Sequence, residues 1–272
     1  MKNISTYLLL DTAMMGDAET KPWAKSKRRP SWMIPIYERA AWTVSPVIVD
    51  IDAAFRANRI GLVSTLLNHL RPQLHASFID AELNATEIAD HLRQFIYVVT
   101  ENGNELTLRL ADCVVLPWLQ KAMTPAQWAA IHGPILSWKY HRRDGTLAVL
   151  PHPDDVEPSA APFRFTEEQI ASLEEAHEPD QLLSNLRMMR NGHQWGRTPQ
   201  DAIQLAADTL KTWKASRQSD TTTLLFFARG VFDTEGKLLR FPSLPRILAQ
   251  GDQAIIRTDV QNAVTFLQSG AL

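Results

Sequence analysis

The hydrophobic and polar positions between residues 94 and 150 alternate in four short runs, which predicts two β-hairpins. The runs are Phe95–Thr100 with Glu105–Leu110, and Ile135–Tyr140 with Thr146–Leu150. Asn102-Gly103 joins the first pair and Asp144-Gly145 joins the second. Both dipeptides are typical of tight turns between antiparallel strands.

Two short helices are predicted between the hairpins. Asp112 is suited to cap the turn that leads into the first of them. Thr124 and Gln127 have the spacing of a capping box for the second, with a proline at its first helical position. Gly133-Pro134 then ends this helix after about two or three turns.

The chain before residue 94 alternates between predicted strands and predicted helices. The strands are expected at Tyr7–Leu10, Pro46–Ile51 and His75–Ala81. A helix is predicted from Asp52 to about Leu70, and Asn84 with Glu87 marks the start of another. This order predicts an α/β (mixed α+β) N-terminal lobe with a central sheet and hairpins.

The segment after residue 150 is rich in proline and acidic residues and poor in apolar ones, as is typical of a linker. Beyond it the apolar residues recur with helical spacing. Thr166 with Gln169 is predicted to start one helix, and Pro179 to open the next at Asp180–Arg190. Later helices are predicted from Thr198, at Leu244–Leu248 and at Ala254–Leu267, while Leu224–Phe232 is open between helix and strand. The predicted organisation is residues 1–150, a Pro-rich linker at 151–163, and a mainly α-helical C-terminal lobe at 164–272.

A series of landmarks in the first 150 residues follows a recognisable order. The central ones are Gly103, Leu108–Asp112, Leu116, Leu119, Met123–Gln127 and His132–Pro134, and the upstream ones are Tyr7–Asp11, Ile36–Glu38 and Ser45–Val49. Together they resemble the type VI secretion effector adaptors, chaperones also called Tap or TEC proteins and first catalogued as a domain of unknown function. The chain departs from that pattern at Cys113, where proline is usual, and at His132, where an aromatic residue is usual.

The resemblance implies a protein that is not an enzyme. It implies a cytoplasmic adaptor or chaperone that binds a secreted effector protein, promotes its loading onto the VgrG spike protein and itself stays behind. An effector segment with exposed apolar surface would need such a cover until delivery. The resemblance implies no cofactor.

Five residues around the central landmarks are candidates for partner binding. Arg109 and Asp112 stand three apart at a strand end, so a salt bridge that fixes the turn is expected, and the resemblance also permits a partner contact. Trp118, Trp128 and Trp138 lie close together in the sequence. Tryptophan is enriched both in cores and at interface hot spots, so each one is expected in the core but not all three.

Composition narrows the classes of partner. The 272 residues are 45% hydrophobic and 21% charged, and the net charge of −2 gives no overall attraction to nucleic acid or to acidic membranes. The basic segment Lys21–Pro30 is expected to be a solvated loop. Cys113 is the only cysteine, Met1–Leu10 lacks the features of a signal peptide, and no apolar run is long enough for a membrane span. The expectation is a cytoplasmic protein with no nucleic-acid or membrane partner.

Candidate chemistry is sparse along the chain. Cys113, with His132 and His141 downstream, permits a small hydrolase that uses this cysteine or a histidine, but a buried small side chain is the expected role of Cys113. The eight histidines show no metal-ligand spacing, and Arg190–Gly196 lacks the strand and the Lys-Ser/Thr of a phosphate loop. No catalytic, metal or cofactor residue is predicted. An immunity-type inhibitor, which blocks an effector's active site, remains the other alternative.

Overall fold

The computed structural model describes residues 4–16, 29–38, 41–153, 155–189 and 198–270. The chain divides into two compact units, Met1–Leu173 and Glu174–Leu272. The strands are β1 (Ser5–Leu10), β2 (Met33–Pro35), β3 (Val47–Asp50), β4 (Ala76–Ala81), β5 (Tyr97–Thr100), β6 (Glu105–Thr107), β7 (Ile135–His141), β8 (Leu147–Val149) and β9 (Phe163–Phe165). The helices are α1 (Ile51–Arg56), α2 (Ile60–Leu67), α3 (Ala85–Arg93), α4 (Leu116–Ala122), α5 (Pro125–His132), α6 (Glu167–Met189), α7 (Pro199–Ala215), α8 (Thr221–Asp233), α9 (Leu244–Leu248) and α10 (Gln253–Gln268). The predicted mixed α/β N-terminal part and helical C-terminal part are confirmed.

The first unit is built on a six-stranded sheet in the order β2-β3-β1-β4-β7-β8, in which all neighbours are antiparallel. Strand β1 lies inside this sheet, and Leu8, Leu9 and Leu10 are each buried. Leu9 packs in the core on one face and Leu8 in the core on the other. A strand covered on both faces needs a continuous apolar run, which is why the sequence pattern identified it.

Both predicted hairpins are confirmed. β5 pairs with β6 with Val98 opposite Leu106, and β7 pairs with β8 with Tyr140 opposite Ala148. The first hairpin belongs to a separate three-stranded sheet in the order β6-β5-β9. Strand β9 lies parallel to β5, a long-range pairing that the alternation pattern did not indicate.

The helix predicted from Asp52 to about Leu70 is instead two helices. Helix α1 begins earlier than predicted, because Asp50 is its cap and its side chain accepts a hydrogen bond of 2.8 Å from the Ala53 N–H. Asn58 then adopts a left-handed backbone conformation with φ 57°, which interrupts the helix before α2 begins. Asparagine is one of the few non-glycine residues that adopts this conformation readily, so the break is encoded at that position.

The boundary between the units also differs from the expected linker at 151–163. Phe163 and Phe165 belong to β9 and are 2% and 0% exposed, so they pack in the core of the first unit. The division falls between Leu173 and Glu174, within α6. The Pro-rich segment is therefore a connection inside the first unit.

The second unit is helical, and one helix boundary predicted from the sequence is wrong. The capping box of Thr166 and Gln169 starts α6 as predicted, but Pro179 lies inside this helix instead of opening a new one. Proline removes one main-chain hydrogen bond from a helix. The residues after it, Leu182 and Leu183, are buried in the core of the second unit, and this packing keeps the chain helical.

Helices α8 and α10 pack closely in this core. A Cβ atom added at Gly230 on α8 would lie 2.8 Å from a methyl group of Val264 on α10. The sequence pattern of Leu224–Phe232 allowed either a helix or a strand, and the segment is helical. The close contact with α10 requires a glycine at position 230. None of the described helices has the length and apolar content needed to cross a lipid bilayer.

Candidate functional site

Arg109 is the centre of an ion cluster in the first unit. Its Nη1 lies 3.1 Å from a carboxylate oxygen of Asp112, which confirms the predicted salt bridge. Its Nη2 lies 2.7 Å from a carboxylate oxygen of Asp11, a partner that the sequence did not indicate. The side chains of Asp11 and Asp112 are only 4% and 7% exposed, whereas that of Arg109 is 46% exposed. Two buried carboxylates thus hold a guanidinium group that reaches the surface.

Local folding explains why these three side chains meet. Leu108 and Leu110 are buried in the core, whereas the side chain of Arg109 between them is 46% exposed. Asp11 directly follows β1 and caps a short 3₁₀ turn, accepting a hydrogen bond of 3.0 Å from Ala13. Asp112 accepts a hydrogen bond of 2.9 Å from Val114 N–H, which fixes its carboxylate at the start of the next turn.

The electrostatics of the cluster are set by burial and pairing. Burial raises the pKa of Asp112, and the positive charge of Arg109 opposes this rise without cancelling it. Burial acts to lower the pKa of Arg109, but the charges of Asp11 and Asp112 outweigh it and raise that pKa. Arg109 is therefore fully charged at neutral pH, and its removal would leave two carboxylates buried without a cation.

The three tryptophans differ in exposure. Trp128 and Trp138 are 3% and 0% exposed, and their rings stack with centroids 6.2 Å apart. The indole N–H of Trp128 donates to the Pro151 carbonyl at 2.9 Å, and that of Trp138 donates to the Ser77 hydroxyl at 3.1 Å. Both side chains are thus satisfied inside the core, which corrects their proposed place at a partner contact.

Trp118 is the tryptophan of the three that reaches the surface. It lies on α4 and is 41% exposed. The Lys121 ammonium lies 4.4 Å from the centroid of its ring, at the distance of a cation–π contact. An amphipathic ring with a cation over one face is a side chain of the kind that anchors protein interfaces.

Cys113 is a buried packing residue in this fold. It is 2% exposed, and its Sγ donates a hydrogen bond of 3.1 Å to the Ala76 carbonyl on β4. Burial raises the pKa of the thiol to about 12, so the nucleophilic thiolate is scarcely populated at neutral pH. His141 directs its Nδ1 to the same carbonyl at 2.8 Å and so does not bind the sulfur as a base would.

Cys113→Ala is accordingly expected to lower the free energy of unfolding by only about 1 kcal/mol, because a small side chain is shortened by one atom. The free energy of unfolding is measured by urea titration, and under the adaptor hypothesis effector capture should be retained. A variant that folds normally but loses all activity in the cell would favour the hydrolase alternative.

Other candidate chemistry is not assembled in the described ranges. Across the part of the chain that the structure describes, His, Cys, Asp and Glu nowhere form a group of three or more that could hold a metal ion. The basic residues 21–28 and the glycine-containing stretch 190–196 lie outside the described residues. Strand β8 forms one edge of the six-stranded sheet, and its Leu147 and Val149 side chains are exposed.

Comparison with known proteins gives one match. The family model described as "Domain of unknown function (DUF4123)" matches residues 6–130. No curated protein and no solved structure matches the chain. The matched stretch runs from β1 into α5 and contains Asp11, Arg109, Asp112 and Trp118, so both exposed candidate side chains lie in a region similar to that family.

Proposed function

We propose that this protein is an adaptor that binds a type VI secretion effector and promotes the loading of that effector onto the VgrG spike. The observation that carries the proposal is the Arg109 guanidinium, held at the surface by two buried carboxylates within the matched stretch. The ordered landmarks that resemble the Tap or TEC adaptors occupy the same part of the chain.

A preorganised guanidinium favours binding for a physical reason. An arginine that is already held in place loses less side-chain entropy when a partner binds than a free one does. Arginine and tryptophan are also the residues most often found as hot spots at protein interfaces. Arg109 and Trp118 supply one of each on the first unit.

The two alternatives differ from the adaptor in a testable way. A hydrolase based on Cys113 would need a thiolate, which the burial of that thiol disfavours. An immunity-type inhibitor would also bind an effector, but its loss would expose the producing cell to the toxin. The adaptor stays behind, so its loss should abolish effector secretion without poisoning the cell.

The deciding experiment uses the native host. The gene is deleted, and secretion of the effector encoded beside a spike gene is measured together with survival of the deletion strain. We expect loss of secretion, normal survival, and co-purification of the tagged protein with that effector and with VgrG. Self-intoxication on deletion would favour the inhibitor, and normal secretion would overturn the adaptor function.

Trp118→Ala tests a direct partner contact more cleanly than any change at Arg109. Because Trp118 is exposed, its truncation should leave melting nearly unchanged while it weakens effector or spike capture by about 30-fold, which corresponds to about 2 kcal/mol. Capture is measured by titration of the purified full-length variant with the effector or with VgrG.

Phe55→Ala is the matched control, since Phe55 is an aromatic residue that is 70% exposed on α1 and is not a candidate for partner contact. It should bind as the wild type does. If Trp118→Ala binds normally as well, Trp118 is not a contact for the effector or the spike. The adaptor function is then judged by the deletion experiment alone.

A further inference from the structure

The second unit contains a surface cavity of about 500 Å³ at the C-terminal end of α7. Its apolar lining comes from the segment between the 3₁₀ turn Lys237–Arg240 and the end of α9: Leu239, Phe241, Pro242, Leu244, Pro245 and Leu248. Leu244 and Leu248 are buried and so form a fixed floor. The volume lies within the range of roughly 300–1,000 Å³ that is typical of ligand-binding clefts.

The charges around this cavity are of one sign. Arg217 and Arg240 line it, and both are exposed. None of the residues that line the cavity is acidic. Within the described ranges neither arginine takes part in a salt bridge. The cavity therefore combines an apolar floor with two cations that have no internal counter-charge there, which is complementary to a ligand with apolar groups and carboxylates.

Arg217 occupies an unusual backbone position for an arginine. It follows Ser216, the C-terminal cap of α7, and its φ is 60°, in the left-handed region. Helices commonly end in this conformation, but glycine is the usual residue there because a side chain makes it less favourable. An arginine at this position interacts favourably with the helix dipole, and it also places its guanidinium group at the cavity.

A second cavity extends this one. It has a volume of about 680 Å³ and shares Thr212, Ala215, Leu239 and Arg240 with the first, so the two form a continuous groove. The extension is lined by charges of both signs, with the acidic Asp201, Asp208 and Glu235 and the basic Lys211, Lys237 and Arg240, so the excess of positive charge is confined to the end formed by the first cavity. A groove with an apolar end and a polar end is longer than a compact metabolite requires, and it suits a stretch of polypeptide.

We propose that the end of this groove formed by the first cavity binds an acidic, apolar peptide segment of a partner protein. Apolar side chains of the peptide segment pack against Leu244 and Leu248, and carboxylates of the segment pair with Arg217 and Arg240. The site lies wholly within the second unit, so the assignment does not depend on the adaptor function or on the Arg109 surface.

The test uses the full-length protein and a fluorescein-labelled ten-residue peptide in which glutamate alternates with leucine and phenylalanine. Binding is followed by fluorescence anisotropy at low salt. Arg240→Gln and Arg217→Gly are each expected to weaken binding by about tenfold or more, as the loss of a charge-assisted contact does. Arg217→Gly should at the same time melt at or above the wild-type temperature, because glycine suits the left-handed position.

Arg246→Gln is the matched control, since Arg246 is an exposed cation on α9 that does not line the cavity, and it should bind the peptide as the wild type does. A peptide with lysine in place of glutamate should not bind. The proposal is overturned if the acidic peptide shows no saturable binding up to millimolar concentration, or if Arg217→Gly binds it normally. It is also overturned if dodecanoate binds there and the peptide does not, because the ligand would then be a lipid carboxylate.

Discussion

Trp138→Ala is expected to lower the free energy of unfolding of the first unit by about 3–5 kcal/mol. Trp138 is fully buried on β7, beside the stacked ring of Trp128 and opposite Ile79 of β4. Its replacement by alanine removes one of the two tryptophan side chains of this core and leaves a cavity between the paired strands. It also leaves the Ser77 hydroxyl without its 3.1 Å contact to the indole N–H.

The measurement is urea unfolding followed by far-ultraviolet circular dichroism, since the mutation itself alters tryptophan fluorescence. Trp138→Phe is the matched variant, because it keeps most of the buried ring and loses the hydrogen bond. It should cost about 1–3 kcal/mol. Unfolding of Trp138→Ala at the wild-type urea concentration would contradict the placement of this side chain in the core.

The contrast with Trp118 decides how binding assays on these variants are interpreted. Loss of effector capture by Trp138→Ala would report a weakened fold, whereas the same loss by Trp118→Ala would report a missing contact. Melting and capture therefore have to be measured on the same preparations. Loss of capture by Arg109→Ala would also report a weakened fold, since this change would leave the carboxylates of Asp11 and Asp112 buried and unpaired.

The features that the sequence predicted are those whose cause lies within a few residues. The capping boxes at Asn84, Thr124 and Thr166 each join a side chain to a backbone N–H three residues away, and all three are present. The hairpins depend on a turn dipeptide and on alternation in adjacent strands, and they are present for the same reason.

The features that the sequence missed depend on contacts between distant parts of the chain. Asp11 and Arg109 are 98 residues apart, and nothing near either residue indicates the other. The parallel pairing of β9 with β5 likewise depends on where the fold places Phe163. Because of this pairing, the boundary between the units lies later in the chain than predicted. Local patterns carry no information about such pairings, which are fixed by the packing of the whole unit.

The tryptophans lie between these two cases. Their residue type fits a core and an interface equally well, so the sequence supported only the expectation that the three would differ. Exposure separates Trp118 from Trp128 and Trp138, and it narrows the candidate contacts on the first unit to Trp118 and Arg109. Asp112 is not a candidate for direct contact, because its side chain is buried against Arg109.

The last expected result concerns His132, at the end of α5. This side chain is 1% exposed, and neither ring nitrogen has a hydrogen-bond partner among the described residues. Trp128 covers one side of the ring at 5.5 Å, and the ring of His152 lies 5.0 Å away. Burial, and to a lesser extent the charge of His152, lowers the pKa of His132 to about 4 from an ordinary value of 6.5.

Because the pKa of His132 is lower in the folded state, the unfolded chain binds more protons between pH 6.5 and pH 4. The contribution of His132 to stability is therefore complete above about pH 6.5 and is lost as the pH falls towards 4, by up to about 3 kcal/mol. His132→Leu removes this titration at a similar side-chain volume. The free energy of unfolding of the variant should fall less steeply than that of the wild type across this range, as measured by urea titrations at several pH values.

The comparison with the wild type isolates His132, because burial also lowers the pKa of His75 and of His91, and both act in the same direction. His177→Gln is the matched control, since His177 is an exposed histidine on α6, and it should reproduce the wild-type pH dependence. If His132→Leu and the wild type lose stability in parallel between pH 6.5 and pH 4, then His132 gains a proton in the folded state as easily as in the unfolded chain. The ring would in that case have access to solvent that its packing against Trp128 and His152 does not provide.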